Sequence, residues 1–181
     1  MTAFAGNSHA ASDEKVNLTI TGGHETDPRD HGRPVVLVAN GLGVTPEAFR
    51  NAFSRVKPAP AGSAPEPEQV QRNKANLLDA LGRYGVTNEQ LDHVSNYYRY
   101  RPDSGRLWTT TPAAAYATIR NGVVTLIVIT EGGAGYSSLP IVSIPGHPGM
   151  KFKTTLAFGK DLKKNGSIAS IIIASGASQA R

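Results

Sequence analysis

Between Gly22 and Arg33 the chain reads GGHETDPRDHGR, and within eight residues of it stand His24, Glu25, Asp27, Asp30 and His31. Imidazole and carboxylate are the donor types of a zinc site, and the oxygens alone suit calcium. Neither the helical zinc-protease spacing nor the calcium-loop spacing is present. The same residues also have a structural use, because Asp27 and Asp30 can accept from loop N–H groups and cap a helix starting at Pro34. His24, Asp27, Asp30 and His31 are therefore candidate ligands for a divalent metal, calcium or zinc, with turn and cap chemistry as the competing reading.

A second constellation lies in Tyr97–Thr110, YYRYRPDSGRLWTT. The segment predicts a strand, a turn at Pro102-Asp103-Ser104-Gly105 and a return strand, since proline suits the first turn position and glycine the left-handed one. On such a hairpin Tyr98, Arg99, Tyr100, Arg101, Arg106 and Trp108 would interleave rings and guanidinium groups. That surface could stack sugars or bases and pair with anions. Cross-strand packing with snorkelling arginines explains the same composition.

Other chemistries lack their residues. There is no cysteine, which excludes disulfides and thiolate catalysis. No GxSxG elbow, P-loop or dinucleotide fingerprint occurs, and GGAGY is not followed by the helix that a dinucleotide site needs. No catalytic residue is assigned. The net charge is +5, and residues 1–110 carry 12 basic and 12 acidic residues. The excess lies in residues 151–181, where Lys151, Lys153, Lys160, Lys163, Lys164 and Arg181 face only Asp161. A basic hairpin can meet a polyanion, or its edge lysines can discourage strand-to-strand aggregation. Nucleic acid is not expected for the helical part, which has no net positive charge.

The elements that must position these residues follow from periodicity. Glu14–Thr21 alternates, with Val16, Leu18 and Ile20 on one face of a strand. Pro34–Val56 predicts a helical hairpin, with Thr45 as N-cap, Pro46 at the first helical position and Phe49, Ala52, Phe53 and Val56 as the apolar stripe. A proline-rich linker spans 58–68. A helix over 68–84 follows, with Val70, Leu77, Leu78, Leu81 and Tyr84 on one face. Thr87 and Gln90 form a capping box before Leu91, Val94 and Tyr98. A shift of 42 residues lays Gly43-Val44-Thr45 on Gly85-Val86-Thr87 and predicts duplicated helical hairpins.

Ala114–Arg120 and Val123–Thr130 flank Asn121-Gly122, a strong two-residue hairpin signal. The apolar run Val123–Ile129 predicts a strand covered on both faces. Gly132–Gly135 allows a sharp corner over which Tyr136 can lie back, and Pro140–Ile144 resumes as an edge strand. An offset of 44 lays Asn121-Gly122 on Asn165-Gly166 and Val124 on Ile168, predicting a second, related hairpin over Lys151–Ala174. The apolar runs are far shorter than the ~20 residues of a membrane span. Met1–Asp13 has neither the positive start nor the apolar centre of a signal peptide and reads as a poorly ordered tail.

The run GGAGYSSLPIVSI, preceded by NGVVTLIVIT, resembles the GGxGYxSxPxVxI β-repeat of bacterial extracellular and phage structural proteins. The wider pattern GGHETDPRDHGRPVVLVANGLGVTPEAF, with SNYYRYRP and NGSIASI, is similar to a group of exported bacterial proteins of no known activity. The resemblance implies a secreted, non-enzymatic setting and supplies no catalytic residues.

The expectation is an α+β protein, with duplicated helical hairpins packed on or beside an antiparallel β-sheet made of two related hairpin units. Residues 14–98 would form a strand plus helical lobe, residues 97–176 a β lobe, and residues 1–13 and 177–181 tails. The expected role is non-catalytic binding or self-assembly outside the cytoplasm, with a second copy, another surface protein or a glycan as partner. No cofactor is expected unless the loop holds a metal. The alternatives are a metal-dependent protein built on His24–His31 and polyanion binding through the basic C-terminal hairpin.

Overall fold

The computed structural model describes residues 13–57, 64, 66–101 and 104–174. Residues 1–12 and the tail at 177–181 lie outside that set, as do 58–63 and 65 of the linker. The protein is α+β, with four α-helices and antiparallel sheets among the described residues.

Capping chemistry sets the helical layer. Helix α1 (Val35–Leu42) ends at Gly43, whose φ of 76° is left-handed. Val44 is buried, and the Thr45 hydroxyl then accepts the Ala48 N–H to start α2 (Pro46–Phe53). The same corner recurs after α3 (Pro67–Leu81) and a 3-10 turn over Gly82–Tyr84. There Gly85 has φ 78°, Val86 is buried, and Thr87 with Gln90 closes a full capping box on α4 (Asn88–Tyr97). The likeness is concentrated at these corners, since α3 has 15 residues where α1 has 8.

Leu91, Val94 and Tyr98 are buried as one stripe of α4. Val70 and Tyr84 depart from the expected stripe of α3 and stand 47% and 46% exposed. Only the C-terminal half of α3, through Leu77, Leu78, Ala80 and Leu81, reaches the helical core. The helix also tightens after Leu81, which takes Tyr84 out of register.

Among the described residues the strands divide into three small sheets rather than one. The expected first strand breaks at Leu18 into β1 (Glu14–Asn17) and β2 (Thr19–Thr21). Strand β1 pairs with β3 (Ala114–Arg120), and β3 pairs with β4 (Val123–Glu131). Strand β2 pairs with β5 (Ile141–Ser143), and β6 (Phe152–Ala157) with β7 (Ser167–Ile173). Asn121 and Gly122 are both left-handed, at φ 53° and 76°, which is the tight turn expected between β3 and β4. The outer face of β4 is open, with Leu126 55% exposed, so its apolar run does not reflect cover on both faces. It is an edge strand of its sheet.

The expected hairpin over Tyr97–Thr110 is also corrected. Tyr97 ends α4, Tyr98 is its C-cap, and the described part of the segment contributes one bridge, Arg101 to Arg106. The α4 stripe claims Tyr98, which holds the chain helical where alternation had implied a strand.

The GGAGY segment joins the parts. On one side Thr111 and Ala134 exchange both backbone hydrogen bonds at 2.9 Å. On the other, Gly135 N donates to Asn165 O (2.9 Å), Tyr136 N to Gly166 O (3.0 Å), and Ile168 N to Gly132 O (2.8 Å). A side chain on Gly133 would meet the Thr111 carbonyl oxygen at 2.5 Å, so glycine is required for this approach. Asn165 is fully buried. Its amide nitrogen donates to Leu37 O (2.8 Å) and the Tyr98 hydroxyl (3.0 Å), while its oxygen accepts from Gly159 N (3.1 Å). Leu162 completes the joint by entering the helical core. No helix among the described residues is long and apolar enough to cross a membrane.

Asn165→Ala removes the three hydrogen bonds of the buried amide and leaves the half-buried Gly159 N–H without its partner, for a loss of about 1–3 kcal/mol, read as a lowered urea midpoint. Gly166→Ala is expected to cost at least as much, because φ is 70° and the new methyl would press into the Tyr136 backbone and the Leu37 side chain.

Candidate functional site: an arginine-lined cleft

The segment after β2 turns its carboxylates toward arginines. Asp27 caps the 3-10 turn Pro28–Asp30 by accepting from Arg29 N (2.9 Å), and it also takes the Arg29 Nε (3.0 Å) and Nη2 (2.6 Å). The hydrogen bonds from Arg29 hold its carboxyl well below the usual carboxylate range. Asp30 is buried and receives Nε (2.7 Å) and Nη2 (2.8 Å) of Arg50 from α2. This bidentate pair fastens the segment onto α2 and raises the Arg50 guanidinium further above its usual range. The third guanidinium nitrogen of Arg50 donates to Glu47 (2.9 Å).

Beside this pair opens a cleft of about 380 Å³, with Arg29, Arg33 and Arg50 supplying charge and Val35, Phe53 and Val56 supplying apolar wall. A smaller hollow of about 90 Å³ shares Asp30, Arg33 and Arg50 and reaches Ser137. Arg33 lies with its guanidinium carbon 4.9 Å from the centre of the Phe53 ring and 5.9 Å from that of Tyr100. The one hydrogen bond of its side chain within the described residues is a long one, Nη1 to Asp30 O at 3.5 Å. Gly32, at φ 81°, lies so close against Tyr100 that any side chain there would collide with the ring.

Of the other expected metal ligands, His31 lines the cleft and His24 lies against Tyr136 instead. His31 is exposed in a left-handed conformation that ends the 3-10 turn. His24 stacks on Tyr136 at 5.1 Å between ring centres, with Trp108 at 6.3 Å, and its Nε2 is buried without a partner among the described residues. Among the described residues no group of three or more His, Asp or Glu side chains stands where it could hold a metal ion. Glu25 instead takes the Ser138 hydroxyl, while Ser137 and Ser138 N–H groups donate to Gly23 O.

The aromatic–arginine residues also separate. Tyr98 and Trp108 are core residues, 2% and 7% exposed, and Trp108 Nε1 donates to Gly135 O (2.9 Å). Arg99 donates to Asn96, and Arg101 and Arg106 are exposed. Of the six, Tyr100 is the one that approaches a residue of the cleft, with its ring 5.9 Å from the Arg33 guanidinium carbon. Lys151, Lys153, Lys160, Lys163 and Lys164 are all exposed, with Lys160 lying against Gly43 at the C-terminal end of α1, where the helix dipole favours a cation.

Sequence reading missed Arg33, Arg50 and Phe53 as a unit. Arg33 marked the end of a loop, and Phe53 belonged to a helical stripe. The Asp30–Arg50 pair spans 20 residues, and no local spacing rule reports such a pair. The one available signal was the pair Arg29 and Arg33 set among Asp27 and Asp30 in one loop.

Arg50→Met leaves the buried Asp30 carboxylate uncompensated, for an expected loss of about 3–5 kcal/mol, while Arg50→Lys recovers part of it; urea titration of both variants checks this. His24 yields a pH dependence. Burial lowers its pKa from the ordinary 6.5, against smaller opposing effects of Glu25 and Gly22. The unfolded chain therefore takes up a proton that the folded ring resists. Stability falls as pH drops below about 6.5 and levels off once the folded value is passed. His24→Phe, which keeps a stacked ring, should flatten the urea midpoint between about pH 7.5 and pH 5.5; an unchanged slope would assign it to another group. Comparison of the chain with known protein families, with curated proteins and with solved structures finds no match.

Proposed function

We propose that the protein works by binding, without a catalytic step, and that the cleft between residues 29–33 and α2 is where its ligand sits. One observation carries this reading. Arg33 is half-buried at the cleft and has no carboxylate partner among the described residues. A guanidinium held partly out of water with its N–H groups unpaired is a ready site for an anionic ligand. The volume of the cleft is within the range of small-molecule sites, and its mixed apolar and charged lining is of the usual kind. The resemblance of GGAGYSSLPIVSI to an extracellular β-repeat supports an extracytoplasmic setting.

A second reading, self-association, draws on the open sheets. Leu126 on β4, Ile141 on β5 and Ile172 on β7 are each more than half exposed. Light scattering behind a sizing column separates a monomer from a defined oligomer.

The binding reading is tested by amide NMR of the labelled protein against a small-fragment library. Binders should move the signals of residues 29–33 and 53–56. Hits that map only to the strands would sink the cleft as the site.

A further inference from the structure

We infer that the cleft takes an organic monoanion, a carboxylate attached to a compact apolar group. The carboxylate would sit on the edge of the Arg33 guanidinium and the apolar part against Phe53 and Val56. This inference rests on the cleft being the binding site.

The pattern of ion pairing identifies the partner. Three guanidinium groups line the cleft. Arg29 is committed to Asp27, and Arg50 to Asp30 and Glu47. Arg33 makes no ion pair among the described residues. Arg83, Arg99, Arg101 and Arg106 share that lack, but each is exposed, and water solvates them. Asp27, Asp30 and Glu47 formally balance the three guanidinium groups, but all three carboxylates are turned onto Arg29 and Arg50. Arg33 alone of the unpaired group is half-buried, and its N–H groups are the ones left for a single carboxylate.

Geometry narrows the ligand. The Arg33 guanidinium carbon lies over the Phe53 and Tyr100 rings, within reach of cation–π attraction. Its N–H edge is left nearly free, with one 3.5 Å bond to Asp30 O. A guanidinium edge is a planar fork that matches the two oxygens of a carboxylate. A phosphate dianion would bring a second charge close to the Asp30 and Glu47 carboxylates around Arg50, where like charges repel. The walls supplied by Val35, Phe53 and Val56 give an apolar body a place that an inorganic anion would leave empty.

The test is an amide NMR titration of the full chain with three probes: benzoate, benzyl alcohol and inorganic phosphate. Benzoate and benzyl alcohol share a ring and differ in charge. The expected result is saturable movement of the residue 31–33 and 53–56 signals with benzoate. Benzyl alcohol and phosphate should bind at least tenfold more weakly. Arg33→Gln, with its dispersed amide spectrum confirming the fold, should weaken benzoate at least tenfold, and Arg33→Lys should restore only part of the affinity. Equal binding of benzyl alcohol would overturn the anion requirement while leaving the cleft as a binding site. Binding of phosphate in preference to benzoate would overturn the carboxylate class. Absence of cleft shifts with all three probes, in a protein whose cleft answers other fragments, would overturn the inference and spare the binding reading. Absence with every fragment would remove both.

Discussion

The buried amide of Asn165 holds the helices to the strands. It donates to the carbonyl of Leu37 in α1 and to the Tyr98 hydroxyl at the end of α4, and accepts from Gly159 in the connection before β7. Tyr98 in turn donates to Leu162 O, and burial pushes its phenol up to about 12, so it remains a neutral donor. A buried polar network of this kind tolerates no half-measures, because each unpaired member would carry its full desolvation cost. The close pairing of Gly166 with Tyr136 depends on the same placement, since it follows Asn165 directly in the chain.

From that joint the GGAGY segment becomes intelligible. It is less a free corner than a strip of backbone held from both sides, by residues 109–113 and by the start of β7. Tyr136 leaves the strip to stack on His24, and its hydroxyl accepts from Ala113 N. The serines that follow clasp Gly23 and Glu25. The repeat-like motif thus anchors the very loop that leads into the arginine cleft. The Asp30–Arg50 pair then fixes the far end of that loop on α2, and the cleft inherits its rigidity from these two anchors.

The two Asn-Gly pairs illustrate how one dipeptide serves two physical ends. At Asn121-Gly122 both residues are left-handed, the turn is solvent-facing, and a side chain on Gly122 would meet nothing within 4 Å. At Asn165-Gly166 only the glycine is left-handed, the asparagine is interior, and the glycine abuts another backbone. The offset of 44 residues locates both pairs without distinguishing them, because the second acts through partners 128 and 67 residues away.

What the sequence by itself determined is local. The Thr45 and Thr87 caps, the left-handed glycines at 43 and 85, the β3–β4 turn, the α4 stripe and the α+β class all follow from interactions within a few residues, so periodicity and capping rules reach them. Only the tertiary structure decided the division into three sheets, the removal of Tyr98 and Trp108 from the surface, and the turning of Asp27 and Asp30 from metal-like donors into arginine partners. The cleft belongs to this second kind. Arg33 became distinctive because Arg50, 17 positions on, took the nearby carboxylate, and because α2 and Tyr100 brought two rings to it. Burial and charge pairing depend on which distant segments meet, and a single chain read in order carries no record of those meetings.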